Sequence, residues 1–245
     1  FAHSTIAGGL TKGGIQRFGF GLAQGLRIEA SMATRSPGAG AYTAPMESSP
    51  EKDRKVAEKR HAKDAQGHPR DWPLVSSETG PGILVARVRY DVLTNPRTGQ
   101  DMRRTVLEMP SWVNVVALTP ARELVVVQQF RFGTQSVTTE IPGGVVDPGE
   151  EPLAAAKREL REETGYSSTR WSLLGAVEPN PAFQDNLCYH YLAEDVMHTH
   201  SLELDPGEDI VVGVLGLEVV RARVQSGSIR HSLVLSALAR VIDLR

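Results

Sequence analysis

Within the stretch GGVVDPGEEPLAAAKRELREETGY, from Gly143 to Tyr166, three glutamates stand close together: Glu159, Glu162 and Glu163. On a helix, residues three and four apart are neighbours, so all three project from one face, and each like-charge pair costs about 0.2–0.5 kcal/mol. Carboxylates gathered at that cost call for something positive opposite them. Oxygen-only ligands suit hard cations such as Mg2+ or Mn2+, which bridge substrate phosphates and keep bound waters, so the chemistry indicated is on a phosphate compound. Arg158 lies four residues before Glu162 and can pair with a neighbouring carboxylate, fixing its rotamer, while its own charge excludes it as a metal ligand. Gly144 lets the backbone approach a cation closely, and Asp147-Pro148-Gly149 supplies the turn that returns Glu150 to the mouth of the helix. The competing reading of the same residues is a charged, solvated helix face, the ordinary role of a charge run.

The fixed points run Gly144, five residues, Glu150, seven residues, Arg158-Glu159-Leu160, one residue, Glu162-Glu163, one residue, Gly165-Tyr166. This pattern resembles the Nudix box at every defining position, with Tyr166 in place of the final aliphatic residue. The resemblance implies metal ligands at Gly144, Glu159, Glu162 and Glu163, a catalytic part for Arg158, and supporting parts for Glu150 and Gly165. It also implies hydrolysis of a nucleoside diphosphate linked to another moiety: water activated by bound Mg2+ or Mn2+ attacks one phosphorus of the bridge, giving a nucleoside monophosphate and a phosphorylated moiety.

Pro181, 15 residues after Tyr166, and QQFRFG followed by TTEIPGG look like the ADP-ribose pyrophosphatase branch of that superfamily. There, Arg131 and Glu140 would border the substrate, ADP-ribose or a nucleotide sugar. A glutamate on a loop after the helix often serves that branch as general base; of Glu203, Asp205, Glu208 and Asp209 in LELDPGEDI, Glu208 is the choice. Relatives in the branch form homodimers through the strands before the box, residues 83–109 here. Nudix folds also serve as catalytically silent modules, so an accessory or structural subunit of a large organellar (mitochondrial) assembly is the alternative function. An RNA 5′-end pyrophosphohydrolase is the second alternative.

The elements that would position these residues follow from periodicity. Leu153, Ala156 and Leu160 make an apolar stripe on a helix over 152–164, and Gly165 sits where a left-handed cap belongs. VARVRYDV and RTVLEM, joined through 95–99, predict a hairpin with one wet face. WVNVVAL and ELVVVQQFRF are near-continuous apolar runs that predict buried strands. WSLLGAVE, CYHYLAE and IVVGVLGL predict further strands, and residues 228–244 a closing amphipathic helix. One helix interrupting a run of strands argues for an α+β sandwich with a mixed central sheet, not a doubly wound parallel one, which agrees with the Nudix-type α/β/α sandwich. Cys188 reads as a buried structural thiol, and His190, His198, His200 and His231 lack metal-ligand spacing.

Composition divides the chain further. Residues before Trp72 hold 11 basic and 7 acidic side chains, hence +4, against 16 and 22 from Trp72 onward, hence −6. The expected layout is an irregular basic extension over 1–47, a charged helical linker over 48–71 and the hydrolase domain over 72–245. The acid-poor, small-residue start resembles organelle-targeting segments, making the mitochondrial matrix or another organelle the expected location, otherwise the cytoplasm. A flexible tail has the same composition. Residues 1–71 are the expected contact to any larger protein assembly. An acidic body without an aromatic-basic surface disfavours nucleic acid as a partner. A single cysteine rules out an intramolecular disulfide, and no apolar run approaches the roughly 20 residues a membrane span needs.

Overall fold

A computed structural model describes residues 71–245 and the two-residue strand β1, Gln16–Arg17. The expected extension over 1–47, the linker over 48–71 and any assembly contact through them otherwise lie outside the described residues. β1 itself departs from the irregular reading: it pairs in parallel with Gly213 and Val214.

Strands β2 (Leu74–Ile83), β3 (Ala86–Thr94) and β4 (Asp101–Glu108) form an antiparallel sheet in that order. The hairpin expected from sequence is therefore β3–β4, with β2 added at its edge. Gly80, Pro81 and Gly82 in β2 read as turn residues, but the strand passes them with register shifts against β3. This sheet joins the body where Leu107 N–H donates to the Phe183 carbonyl at 2.7 Å.

The body is built on β5 (Trp112–Ala117), β6 (Glu123–Arg131), β7 (Ser136–Glu140), α1 (Pro152–Thr164), β8 (Tyr166–Ser167), β9 (Arg170–Val177), β10 (Cys188–Glu194), β11 (Met197–His198), β12 (Ile210–Gly216), α2 (Leu217–Gln225) and α3 (Ser232–Leu238). Strand orders are β1-β12-β6-β7 and β5-β10-β9, with β10 parallel to β5 and antiparallel to β9. β11 pairs with β8. The unbroken apolar run of β6 is explained by burial on both faces. Val125 and Val127 pack with Ala155, Ala156 and Leu160 of α1, while Leu124 and Val126 pack with Val220 of α2 and Val234 and Leu238 of α3. Helices thus cover both sides of a mixed strand layer, the expected α/β/α sandwich.

One helix is added to the expected elements, and one expected helix is shortened. Leu217–Gln225, whose valines favour strand, is helical because Leu217, Val220 and Val224 fall on one stripe against the second core cluster. The closing helix expected over 228–244 is only Ser232–Leu238. Beyond it, Arg240 turns its guanidinium to the Leu174 carbonyl, over Gly175, where a Cβ would lie 2.4 Å from Arg240 Nη1.

Cys188 is free and fully buried, and burial pushes its thiol up to about 12, as a structural thiol requires. His190, beside it on β10, is also fully buried, and both its ring nitrogens are without hydrogen-bond partners. Burial, reinforced by the charge of Arg240, pushes its pKa down to about 4. The unfolded chain takes up this proton near pH 6.5 and the folded chain does not, so stability is expected to fall as pH drops from about 6.5 toward 4. Urea unfolding across that range should show a smaller fall for His190→Leu than for the parent chain.

Candidate active site

The glycine loop before α1 is tied to β5: Val113 N–H donates to the Gly144 carbonyl at 2.9 Å, and Gly144 N–H returns to the Val113 carbonyl at 3.1 Å. A Cβ at Gly144 would lie 2.4–2.7 Å from the Glu159 carboxylate, so any larger residue there would displace that side chain. Pro152 opens α1. At its other end Gly165 is left-handed, φ 72°, and its N–H donates to the Arg161 carbonyl at 2.7 Å. A Cβ at Gly165 would meet the His200 carbonyl at 2.3 Å. The Gly165 carbonyl in turn accepts from Thr199 and His200 N–H, so this position also fastens the loop that carries Glu208.

Arg158 is the hub of the site. Its Nε and Nη2 grip Glu150 at 3.1 and 2.9 Å, Nη1 reaches Glu159 at 2.8 Å and Glu162 at 3.4 Å, and Nη2 also reaches the Val145 carbonyl at 2.9 Å. The hydrogen bonds from Arg158 pull Glu150 below its ordinary pKa. Glu159 goes the other way: burial outweighs the Arg158 charge and contacts, Glu162 and Glu208 add repulsion, and its pKa rises to about 7. Glu163 is buried and accepts from Gly143 N–H at 2.9 Å. Burial dominates there too, with repulsion from Glu159 and Glu208, and raises it to about 8. Glu162 is half-buried and also accepts from Arg161 at 2.9 Å.

These residues suit a hard divalent cation. Two buried carboxylates whose charge the fold disfavours gain from a positive ion, the donors are all oxygens, and the Gly144 carbonyl keeps a second lone pair. Among the described residues no three His, Cys, Asp or Glu side chains are gathered as a finished metal cage. Arg158 instead turns Glu150, Glu159 and Glu162 toward itself.

The remaining expected residues divide. Arg131 and Glu140 form a two-pronged pair at 2.8 and 2.7 Å across β6 and β7, with Glu140 buried. Burial raises Glu140, but hydrogen bonds from Arg131 and Thr138 prevail and hold it below the usual carboxylate range. Arg131 also feels the charges of Glu163 and Glu208, which puts this pair beside the α1 carboxylates. Glu208 is exposed, with its carboxylate on Asp205 N–H at 3.0 Å. Its loop is fixed to α1 through Glu203 N–H and the Glu162 carbonyl, 3.0 Å. Pro181 stands apart, on an exposed turn whose hydrogen bonds run to Leu107 of β4 rather than to α1. Sequence reading missed Gly143, the Val145 carbonyl and Thr138; the doubled glycine before the box was the one signal for the first.

Residues 110–228 match the NUDIX domain family. The chain is 34% identical over 129 residues to an ADP-ribose pyrophosphatase of Bacillus subtilis, covering 52% of this chain and 70% of that one. To an ADP-ribose pyrophosphatase of Mycobacterium tuberculosis it is 30% identical over 173 residues, 70% of this chain and 83% of that one. A solved ADP compounds hydrolase superposes with a TM-score of 0.64 at 22% identity, over 72% of this chain and 95% of that chain, which bears on the fold. The chain belongs to the NUDIX domain family. Within it, the chain stands in the ADP-ribose pyrophosphatase-like branch, and it is an enzyme, a pyrophosphohydrolase.

Substitution separates a metal site from a charged surface. Mg2+ is expected to raise the melting temperature of the parent chain and of Glu151→Gln, and to leave Glu162→Gln and Glu163→Gln unmoved. Without metal, both of the latter should be about as stable as the parent: Glu162→Gln removes a like charge from the cluster, and Glu163, raised to about 8, is already largely protonated at neutral pH. Equal Mg2+ shifts in all four proteins, read by differential scanning fluorimetry, would contradict the assignment.

Proposed function

We propose that this chain hydrolyses the diphosphate bridge of ADP-ribose or a related nucleotide sugar, using Mg2+ or Mn2+, to give a nucleoside monophosphate and a phosphorylated sugar. The observation that carries the reading is the juxtaposition of the buried Glu159, held by Arg158, and the buried Glu163, held by Gly143 N–H, with the Arg131–Glu140 pair.

Glu159, Glu162, Glu163 and the Gly144 carbonyl would hold the divalent cation, whose chemistry there would be to place positive charge at the bridge and to acidify water. Everything else falls to the chain. Arg158 and Glu150 keep the carboxylates in their rotamers. Arg131, oriented by the buried Glu140, offers its half-exposed guanidinium to the substrate. A new P–O bond forms from water as the bridging P–O bond breaks, and Glu208 takes the water proton once its carboxylate leaves Asp205 N–H.

The N-terminal sheet supports a homodimer through residues 83–109. Ile83, Leu84 and Val85 are exposed apolar residues there, and Leu74 and Val75 are exposed at the other end of β2. No helix among the described residues is long and apolar enough to cross a membrane.

AMP release from ADP-ribose with Mg2+ or Mn2+ is the expected activity, and chromatography that detects no AMP would overturn the reading. Turnover should fall by orders of magnitude in Glu162→Gln, while triphosphorylated RNA should be left intact. Sedimentation of the purified protein at micromolar concentration is expected to give a dimer, and a monomer would remove the proposed interface.

A further inference from the structure

A second charged group lies outside the motif, where the N-terminal sheet meets the turn over 180–187. Arg89 of β3 donates from Nε to both oxygens of Asp91 at 3.0 Å, and from Nη1 to Glu108 at 2.8 Å and Asp185 at 3.3 Å. The other Asp185 oxygen accepts from Met109 N–H at 3.1 Å. One guanidinium is thus shared by acids from β3, the end of β4 and the turn. The turn is also laced to β4, with Leu107 N–H on the Phe183 carbonyl at 2.7 Å and Asp185 N–H on the Leu107 carbonyl at 3.3 Å.

The same turn leads toward the active site. Trp112 N–H donates to the Leu187 carbonyl at 2.8 Å, and Trp112 also makes an antiparallel bridge to Val145, whose carbonyl binds Arg158. Neighbouring strands lie about 4.8 Å apart, so the exit of the turn and the glycine loop stand roughly 10 Å apart across one strand. A single nucleoside diphosphate derivative spans that distance. Asp185 is exposed, and it makes its contacts from the segment that holds Pro181 and the exposed Phe183.

We propose that Asp185 is a positioning residue: gripped by Arg89 and Met109 N–H, it fixes the Pro181 turn against the N-terminal sheet and so sets substrate affinity, leaving the chemical step alone. The proposal rests on the reading of the site as a diphosphatase of ADP-ribose-like compounds.

Two variants test it. Asp185→Ala loses both contacts, whereas Asp185→Asn keeps an acceptor for Met109 N–H and loses the charge toward Arg89. Asp185→Ala should raise KM for ADP-ribose about tenfold with kcat changed less than about twofold, and Asp185→Asn should fall between it and the parent. Amide hydrogen exchange should quicken about tenfold over 183–187 and stay unchanged in α1. An unchanged KM in Asp185→Ala overturns the affinity role, and unchanged exchange over 183–187 overturns the brace. Faster exchange throughout the chain with kcat and KM altered together marks a merely structural residue and also overturns it. A parent chain that releases no AMP from ADP-ribose sinks the substrate reading and the affinity role with it, while the exchange comparison still decides the brace.

Discussion

Arg158 divides its guanidinium among Glu150, Glu159, Glu162 and the Val145 carbonyl, and the geometry of the active site hangs on that one group. Without a cation among them, the glutamates would repel each other along one helix face. With it, the loop that carries Glu150 is drawn back over the start of α1, and Val145 is pinned above the helix. Glu163 lies beyond this reach and depends on Gly143 N–H, a single neutral donor in a buried place. That difference explains why burial wins at Glu163 and drives its pKa highest, to about 8.

Such a group needs a platform that does not give. β5 provides it: Val113, Val115, Val116 and Ala117 are buried, β10 pairs along one edge, and the backbone of 142–145 follows the other. Interiors packed on both faces respond to load as units. The glycine loop is therefore fixed from below by β5 and from above by Arg158. The Glu208 loop is fastened at Glu162 and Gly165 and by Leu204 against the core, and its acidic tip is exposed. Rigid parts hold the carboxylates, and the proposed base Glu208 sits on the more exposed loop.

The helix, its cap and the acidic cluster were legible because each is local: stripe, cap and motif spacing all lie between Gly143 and Tyr166. The buried strands were legible for the same reason, since apolar runs such as that of β6 need no partner to be recognised. What could not be read was decided at a distance. Leu217–Gln225 has strand-like valines, and only the second core cluster makes it a helix. Arg240 ends the final helix region through Leu174, 66 residues away in sequence. Glu162 and Glu163 are adjacent and of one type, so only burial tells them apart. Arg131 and Glu140 came from family resemblance as two separate residues; their mutual grip depends on the β6–β7 register, in which Arg131 faces Ser136 and Glu140 faces Val127.

The charge balance of the site bears on its chemistry. Glu140, Glu150, Glu159, Glu162, Glu163 and Glu208 gather near the cations Arg131, Arg158 and Arg161, and each of these arginines already holds a carboxylate. A diphosphate brings more negative charge to a place where the fold already struggles to keep Glu159 and Glu163 ionised. Fixed positive charge from the chain is too little and too committed to reverse that field. Arg131 and Arg161, with side chains 43% and 39% exposed, are more open than Arg158 at 27%. The missing charge has to come from a mobile species, and a divalent cation does this with least disturbance. Bound there, such an ion would favour the ionised carboxylates over the protons that burial retains and would offer a positive centre to phosphate oxygens. On the proposed reading, the buried acids that look like a defect of the isolated chain would be what makes a metal and a phosphate compound bind together.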